Sequence, residues 1–189
     1  MIGYAFCGSF CTVAKSMKIL RELAAEGNDI LPIVSDAVYS TDTRFGRAAD
    51  TLAEITRICG REPIHSIVDA EPIGPKGFLD VLIIAPCTGN TLAKIACGIT
   101  DTPVTMAAKA QLRTGKPVVI ALASNDALSA NLQNIARLTV RKNVYFVPMF
   151  QDDAEKMPDS LICDFGQIKA AVVGALKGKQ IQPLWCVDA

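Results

Sequence analysis

Two short loops hold most of the residues that could do chemistry. One reads Pro86-Cys87-Thr88-Gly89-Asn90-Thr91 and follows a continuous apolar run at 81–85. Proline stiffens such a turn, glycine lets a planar ligand approach the backbone, and the Asn90 amide offers both a donor and an acceptor. This set suits the edge of a heteroaromatic ring better than a charged phosphate. The plain alternative is that Asn90 or Thr91 only caps the next helix. The other loop, Gly8-Ser9-Phe10-Cys11-Thr12, follows the apolar run 2–7 and opens a helix. Free N–H groups at a helix start, with the Ser9 and Thr12 hydroxyls, could hold a phosphate; an ordinary N-cap is the other reading. The second and third glycines of the dinucleotide pattern G-x-G-x-x-G are missing. Asp36, near the end of the second apolar run, could still imitate a ribose ligand.

The elements that must position these loops follow from periodicity. Apolar runs at 2–7, 30–34, 81–85, 117–122 and 144–147 predict strands, the last of these being the final one, and 64–68 predicts one more. Helical spacing predicts helices at 13–26, 46–58, 91–97, 104–113, 128–138 and 168–176. Segment 71–77 is dense in proline and glycine and predicts a loop. Strands alternating with helices imply βαβ units, hence an α/β fold whose central parallel sheet carries helices on both faces. In such sheets ligands bind beyond the carboxyl ends of the strands, which points to the segments 8–12, 35–46, 86–91 and 123–125. No repeat or second domain is visible, so 1–189 reads as a single domain with a C-terminal tail from about 178 that could reach a neighbour.

Composition narrows the function classes. Lys plus Arg and Asp plus Glu each number 19 in 189 residues, so no basic field exists to collect nucleic acid or an anionic membrane. Half of the residues are hydrophobic, which excludes disorder and, at zero net charge, predicts an oligomer. No uncharged stretch reaches the ~20 residues of a membrane span, and the start lacks a basic leader, so a cytoplasmic protein is expected. Seven cysteines are present: Cys7, Cys11, Cys59, Cys87, Cys97, Cys163 and Cys186. None forms C-x-x-C, and His65 is the only histidine, so no zinc pattern exists and no metal is expected. The cysteines read as small buried hydrophobes of a reducing compartment.

The Gly8-Ser9 loop, Ser35, and Pro86-Cys87-Thr88-Gly89-Asn90-Thr91 with Lys94 and Gly98-Ile99-Thr100-Asp101 resemble the FMN-binding flavoprotein family. That family includes the homo-oligomeric cysteine decarboxylases, whose loop reads approximately P-A-x-A-N-T; Gly89 stands for the second alanine. Several stretches more closely resemble the family of dipicolinate synthase B subunits. They include Ser40-Thr41-Asp42-Thr43-Arg44-Phe45-Gly46, Ala70-Glu71-Pro72-Ile73-Gly74-Pro75-Lys76, Met106-Ala107-Ala108-Lys109-Ala110 and Asn125-Asp126-Ala127-Leu128. Phe10 departs from that family, where a histidine is expected after Gly-Ser.

The resemblance implies a three-layer, Rossmann-like flavoprotein fold, bound FMN and a homo-oligomer. It also implies a sporulation role with an A subunit, which carries NAD(P), in oxidising dihydrodipicolinate or its cyclic precursor to dipicolinate. By position, Gly8, Ser9 and Ser35 would hold phosphate, with Phe10 also at the cofactor. Pro86, Thr88, Gly89, Asn90 and Thr91 would border the isoalloxazine. Asn90 and Asn125 would be the catalytic residues. Oxidising a dihydropyridine yields an aromatic ring, and a flavin can accept the hydride. The two carboxylates then need anchors, for which a planar guanidinium fork is suited. Arg44 and Asn125 would bind substrate. Lys109 and Arg113 share a helix face and are either anchors or solvated charges; Glu71 is a base or a structural anchor. The decarboxylases' P-x-M-N-x-x-M-W clamp is absent, since the chain reads Ala123-Ser124-Asn125-Asp126-Ala127-Leu128. Their histidine, one strand before the P-A-x-A-N-T loop, is not matched by His65, which reads as an incidental strand or surface residue. The alternatives are an FMN-dependent decarboxylase of a cysteinyl substrate and a non-catalytic binding subunit of the same fold.

Overall fold

The computed structural model describes residues 1–187. The chain runs β1 (Ile2–Phe6), α1 (Phe10–Ala25), β2 (Ile30–Val34), α2 (Asp36–Ser40), α3 (Ala48–Cys59), α4 (Ile67–Ala70), α5 (Ile73–Lys76) and β3 (Val81–Cys87). It continues through α6 (Gly89–Cys97), α7 (Pro103–Arg113), β4 (Val118–Ser124), α8 (Leu132–Thr139), β5 (Val144–Phe146), β6 (Met149–Asp153), β7 (Met157–Cys163) and α9 (Ile168–Leu176). Strands β2-β1-β3-β4 are parallel neighbours, and β5 adds to β4 in parallel along Val118–Ile120.

Side-chain alternation along β3 and β4 builds both layers of core. Leu82, Ile84, Val118 and Ile120 meet Leu92, Ile95, Val104 and Ala107 of α6 and α7 on one face. Val81, Ile83, Val119 and Ala121 meet Leu20, Ile55 and Ala171 of α1, α3 and α9 on the other. All seven β3 positions are buried, as expected of a central parallel strand. No described helix is long and apolar enough to cross a membrane.

Several expectations are corrected. The sheet is not wholly parallel, and 144–147 is not the last strand: β6 and β7 form an antiparallel hairpin, joined to β4 through Ala123↔Ile162 and Ser124↔Leu161. Its outer half is exposed and polar, so it lacks the apolar run that marks a buried strand. The predicted strand at 64–68 reduces to one bridge, Ile64 to Ile33, because Ser66 caps α4 by accepting from the Asp69 N–H at 3.1 Å. Part of the predicted 71–77 loop winds into α5, and α8 starts at Leu132 rather than 128. Within the tail, Gln180 and Leu184 are held by their own chain. The Gln180 amide donates to the Phe146 carbonyl at 2.7 Å and accepts its N–H at 2.8 Å, and Leu184 is buried.

One buried polar contact ties α1 to the functional end of β3. The Ser16 hydroxyl, inside α1, donates to the Ala85 carbonyl at 2.6 Å and lies 2.9 Å from the buried Tyr4 hydroxyl. The Ala85 carbonyl is free to accept because the β3–β4 register shifts between Ile84 and Cys87. Ser16→Ala would strand the Ala85 carbonyl in the interior, while the Tyr4 hydroxyl keeps its 3.1 Å bond to the residue 16 carbonyl, and is expected to cost about 1–3 kcal/mol. Urea unfolding checks this; an unchanged midpoint would show that the contact carries no stability.

Candidate functional site

Because β1 and β3 are adjacent and parallel, the helices that follow them begin at the same edge of the sheet. The Cys7 N–H donates to the Pro86 carbonyl at 3.1 Å, which fastens the two loops side by side. Thr88 caps α6, its hydroxyl oxygen accepting from the Thr91 N–H at 3.4 Å. Ser9 stands at the N-cap of α1 without accepting from a backbone N–H through its side chain. Among the described residues, no protein acceptor meets the N–H groups of Gly8, Phe10 and Cys11, or those of Gly89 and Asn90. Two helix N-termini thus open on one cleft with unused donors.

The cleft has a volume of about 490 Å³ and is walled by residues 8–12, 88–90, 123–126 and the β6–β7 hairpin, with Arg44 and Phe45 over it. It brings together Gly8, Ser9, Phe10, Arg44, Thr88, Gly89, Asn90 and Asn125. Ser35, Pro86 and Thr91 lie outside its lining. Ser35 caps α2, and its own N–H donates to Phe6 at 2.9 Å. Pro86 is buried in β3, and Thr91 is buried beneath Thr88. These three residues shape the loops that the other eight present. Lys109 lines a separate hollow with Arg141, and Arg113, Glu71 and His65 are outside the cleft as well. His65 stacks on Tyr39 with ring centroids 4.1 Å apart.

Arg44 is held by a tight turn in which the Thr43 and Gly46 N–H groups each donate to the other's carbonyl, at 3.0 and 3.1 Å. Gly46 sits at φ +148°, in the region that favours glycine. The Arg44 guanidinium lies 4.9 Å from the centroid of the Phe45 ring and has no ion-pair partner among the described residues. Phe45 also borders a second cavity of about 300 Å³ between α1, α2 and α3.

Sequence reasoning points to 123–125 and Asn125 on the opposite wall but misses the polar network built there on Asp126. Asp126 accepts from the Ser124 hydroxyl through one carboxylate oxygen and from the Asn131 amide, at 2.9 Å, through the other. Asn131 in turn accepts from the Asn134 amide at 2.9 Å. This network explains Gly89: a methyl there would lie 2.5 Å from Ser124 Oγ and Asn131 Nδ2, and 2.7 Å from Asp126 Oδ1. The glycine in place of the decarboxylases' alanine was the available signal.

The buried thiols behind the cleft are not nucleophiles. Burial pushes Cys7 up to about 11 and Cys87 well above the ordinary thiol range, so both stay protonated near neutral pH. All seven cysteines are free.

Comparison with known proteins fits this geometry. Residues 1–179 match the family model described as Flavoprotein. The chain is 43% identical to the B subunit of dipicolinate synthase from Bacillus subtilis over 97% of its own length and 92% of that protein. It superposes on the crystal structure of the dipicolinate synthase B subunit from Bacillus halodurans C with a TM-score of 0.91 and 40% identity, covering 100% of this chain and 96% of that one. The FMN-dependent cysteine decarboxylase SpaF is similar at 25% identity and a TM-score of 0.66, over 92% of this chain and 95% of that one.

The thiols also set a pH dependence. Burial holds Cys7 and Cys59 up to about 11 in the folded chain, whereas a free thiol titrates near ~8.5. Between these values the unfolded chain binds fewer protons, so stability falls as pH rises. Unfolding free energy should drop by about 2 kcal/mol or more from pH 8.5 to 11. A flat profile across that window would contradict it.

Proposed function

Since the chain belongs to the flavoprotein family, we propose that it is a dipicolinate synthase B subunit that binds FMN. With an A subunit carrying NAD(P), it oxidises dihydrodipicolinate, or its cyclic precursor, to dipicolinate in the cytoplasm. The whole-length likeness to dipicolinate synthase B subunits supports the assignment. The single structural observation that carries it is the cleft itself. Unused N–H donors of two helix starts face one space that also receives a guanidinium.

The residues present fit the cofactor. The first turn of α1 holds no acidic side chain, and the N–H groups of Gly8, Phe10 and Cys11 suit a phosphate. Thr88, Gly89 and Asn90 present hydroxyl, N–H and amide groups that suit the edge of a heteroaromatic ring. When bound, the flavin supplies a two-electron acceptor. Arg44 binds one substrate carboxylate through two parallel hydrogen bonds. Asn125, exposed at the end of β4, orients the ring or its second carboxylate, and Asn90 sets where the reacting ring edge lies. The Phe45 ring, 4.9 Å from the guanidinium, helps to hold Arg44 at the cleft. The cleft is open, with Arg44 its one Arg or Lys side chain among the described residues, and a homo-oligomer would supply further walls. The cysteinyl-decarboxylase reading is weaker, because the Ser124–Asp126–Asn131 network stands where that substrate clamp would be.

Three variants separate the roles. Arg44→Ala should weaken dipicolinate binding roughly tenfold to a hundredfold, the loss of ~1.5–3 kcal/mol, and leave FMN binding nearly intact. Arg44→Lys should restore only part of it, since an ammonium lacks the fork. Asn90→Ala should perturb FMN before dipicolinate. Calorimetric titration of both ligands checks the pattern; dipicolinate bound by Arg44→Ala at wild-type strength would return Arg44 to the surface.

A further inference from the structure

Oxidising a dihydropyridine to a pyridine removes two hydrogens. One leaves a ring carbon with its electron pair, as hydride, to a flavin- or nicotinamide-class acceptor. The other leaves the neighbouring ring carbon as a proton, and its C–H electron pair becomes the new ring π bond. A site for this chemistry needs a fixed group to receive that proton.

The cleft offers few. Arg44 offers only N–H donors and no acceptor, so it cannot serve. Cys7 and Cys87 lie behind the wall and keep their protons. Cys11 is exposed at the rim. Asp152 lies on the exposed half of β6 and has no hydrogen-bond partner fixing its carboxylate among the described residues. Asp126 is different: it is half-buried, lines the cleft, and is held from both sides by Ser124 and Asn131. Both partners are donors, so the carboxylate enters as an acceptor, with further lone pairs for a proton. The absent methyl of Gly89 is what lets it stand against the start of α6, beside Asn90.

Resting on the proposed function, we propose that Asp126 is the catalytic base of this subunit. Its carboxylate takes the ring proton, becomes a carboxylic acid, and returns the proton to solvent at the open mouth of the cleft. Ser124 and Asn131 are positioning residues that aim it.

The exchange step needs no oxidant. The full chain without flavin is kept anaerobic in D2O with dihydrodipicolinate formed in situ. The ring is then oxidised chemically, and deuterium is read by mass spectrometry against a protein-free control. Wild-type protein should speed ring exchange, and Asp126→Asn should lose at least 90% of that acceleration while still binding dipicolinate and FMN within about threefold. Added formate should restore exchange to Asp126→Ala, which a merely structural role would not allow. Wild-type exchange by Asp126→Asn would overturn the proposal. So would wild-type protein that binds dipicolinate yet promotes no exchange. So, too, would Asp126→Asn losing ligand binding and thermal stability together, which would make Asp126 a staple of the loop. Wild-type protein that binds no dipicolinate at all would sink the functional reading itself, and the base with it.

Discussion

Ser16 is a small polar residue on the buried face of a helix, and its hydroxyl reaches the Ala85 carbonyl at 2.6 Å. That contact locks α1 onto β3 one residue before Pro86, while the Cys7 N–H on the Pro86 carbonyl locks β1 to the same place. The candidate site depends on this pair of hydrogen bonds. They hold two loops, 78 residues apart between Gly8 and Pro86 in sequence, so that the helices they open share one cleft. The parallel pairing of β1 with β3 makes the arrangement possible, since only parallel neighbours deliver both helix starts to one edge.

The two helix ends are not equivalent. The α1 end carries no carboxylate in its first turn, whereas the α6 end has Asp126 close enough to exclude even a methyl at Gly89. A helix N-terminus attracts an anion unless one is already there. The cleft therefore has a polarity: an anionic group is favoured at residues 8–11 and a neutral hydrogen-bonding edge at residues 88–90. The proposed orientation of FMN, phosphate to α1 and ring to α6, follows from that asymmetry, and so does the supply of a carboxylate beside the reacting ring.

Much of this is legible in the amino-acid sequence. The runs at 81–85 and 117–122 are continuous and apolar because those strands are buried on both faces, and the loops after them are where ligands belong. Eight of the expected site residues do meet in the cleft. What is illegible depends on contacts between elements. Ser35 and Thr91 look like ligands because hydroxyls at loop ends suit both ligands and caps, and here the Val38 N–H takes Ser35 while Thr91 is buried against the Thr88 hydroxyl. The β6–β7 hairpin is polar on its outer half and so carries no apolar run. Asp126 gains meaning only from Gly89, Ser124 and Asn131, which the fold assembles. Ser16 hides in a helix whose apolar spacing is otherwise regular.

The claim that an anion-seeking α1 and an aromatic-edge α6 share one ligand is tested most directly by comparing FMN with riboflavin, which lacks only the phosphate. Fluorescence quenching titrations of both against the purified chain isolate the α1 contribution. The account predicts saturable quenching of FMN with riboflavin bound at least tenfold more weakly, as the loss of one charge-assisted phosphate contact requires. Equal affinity for the two, or no saturable quenching of FMN, would contradict it.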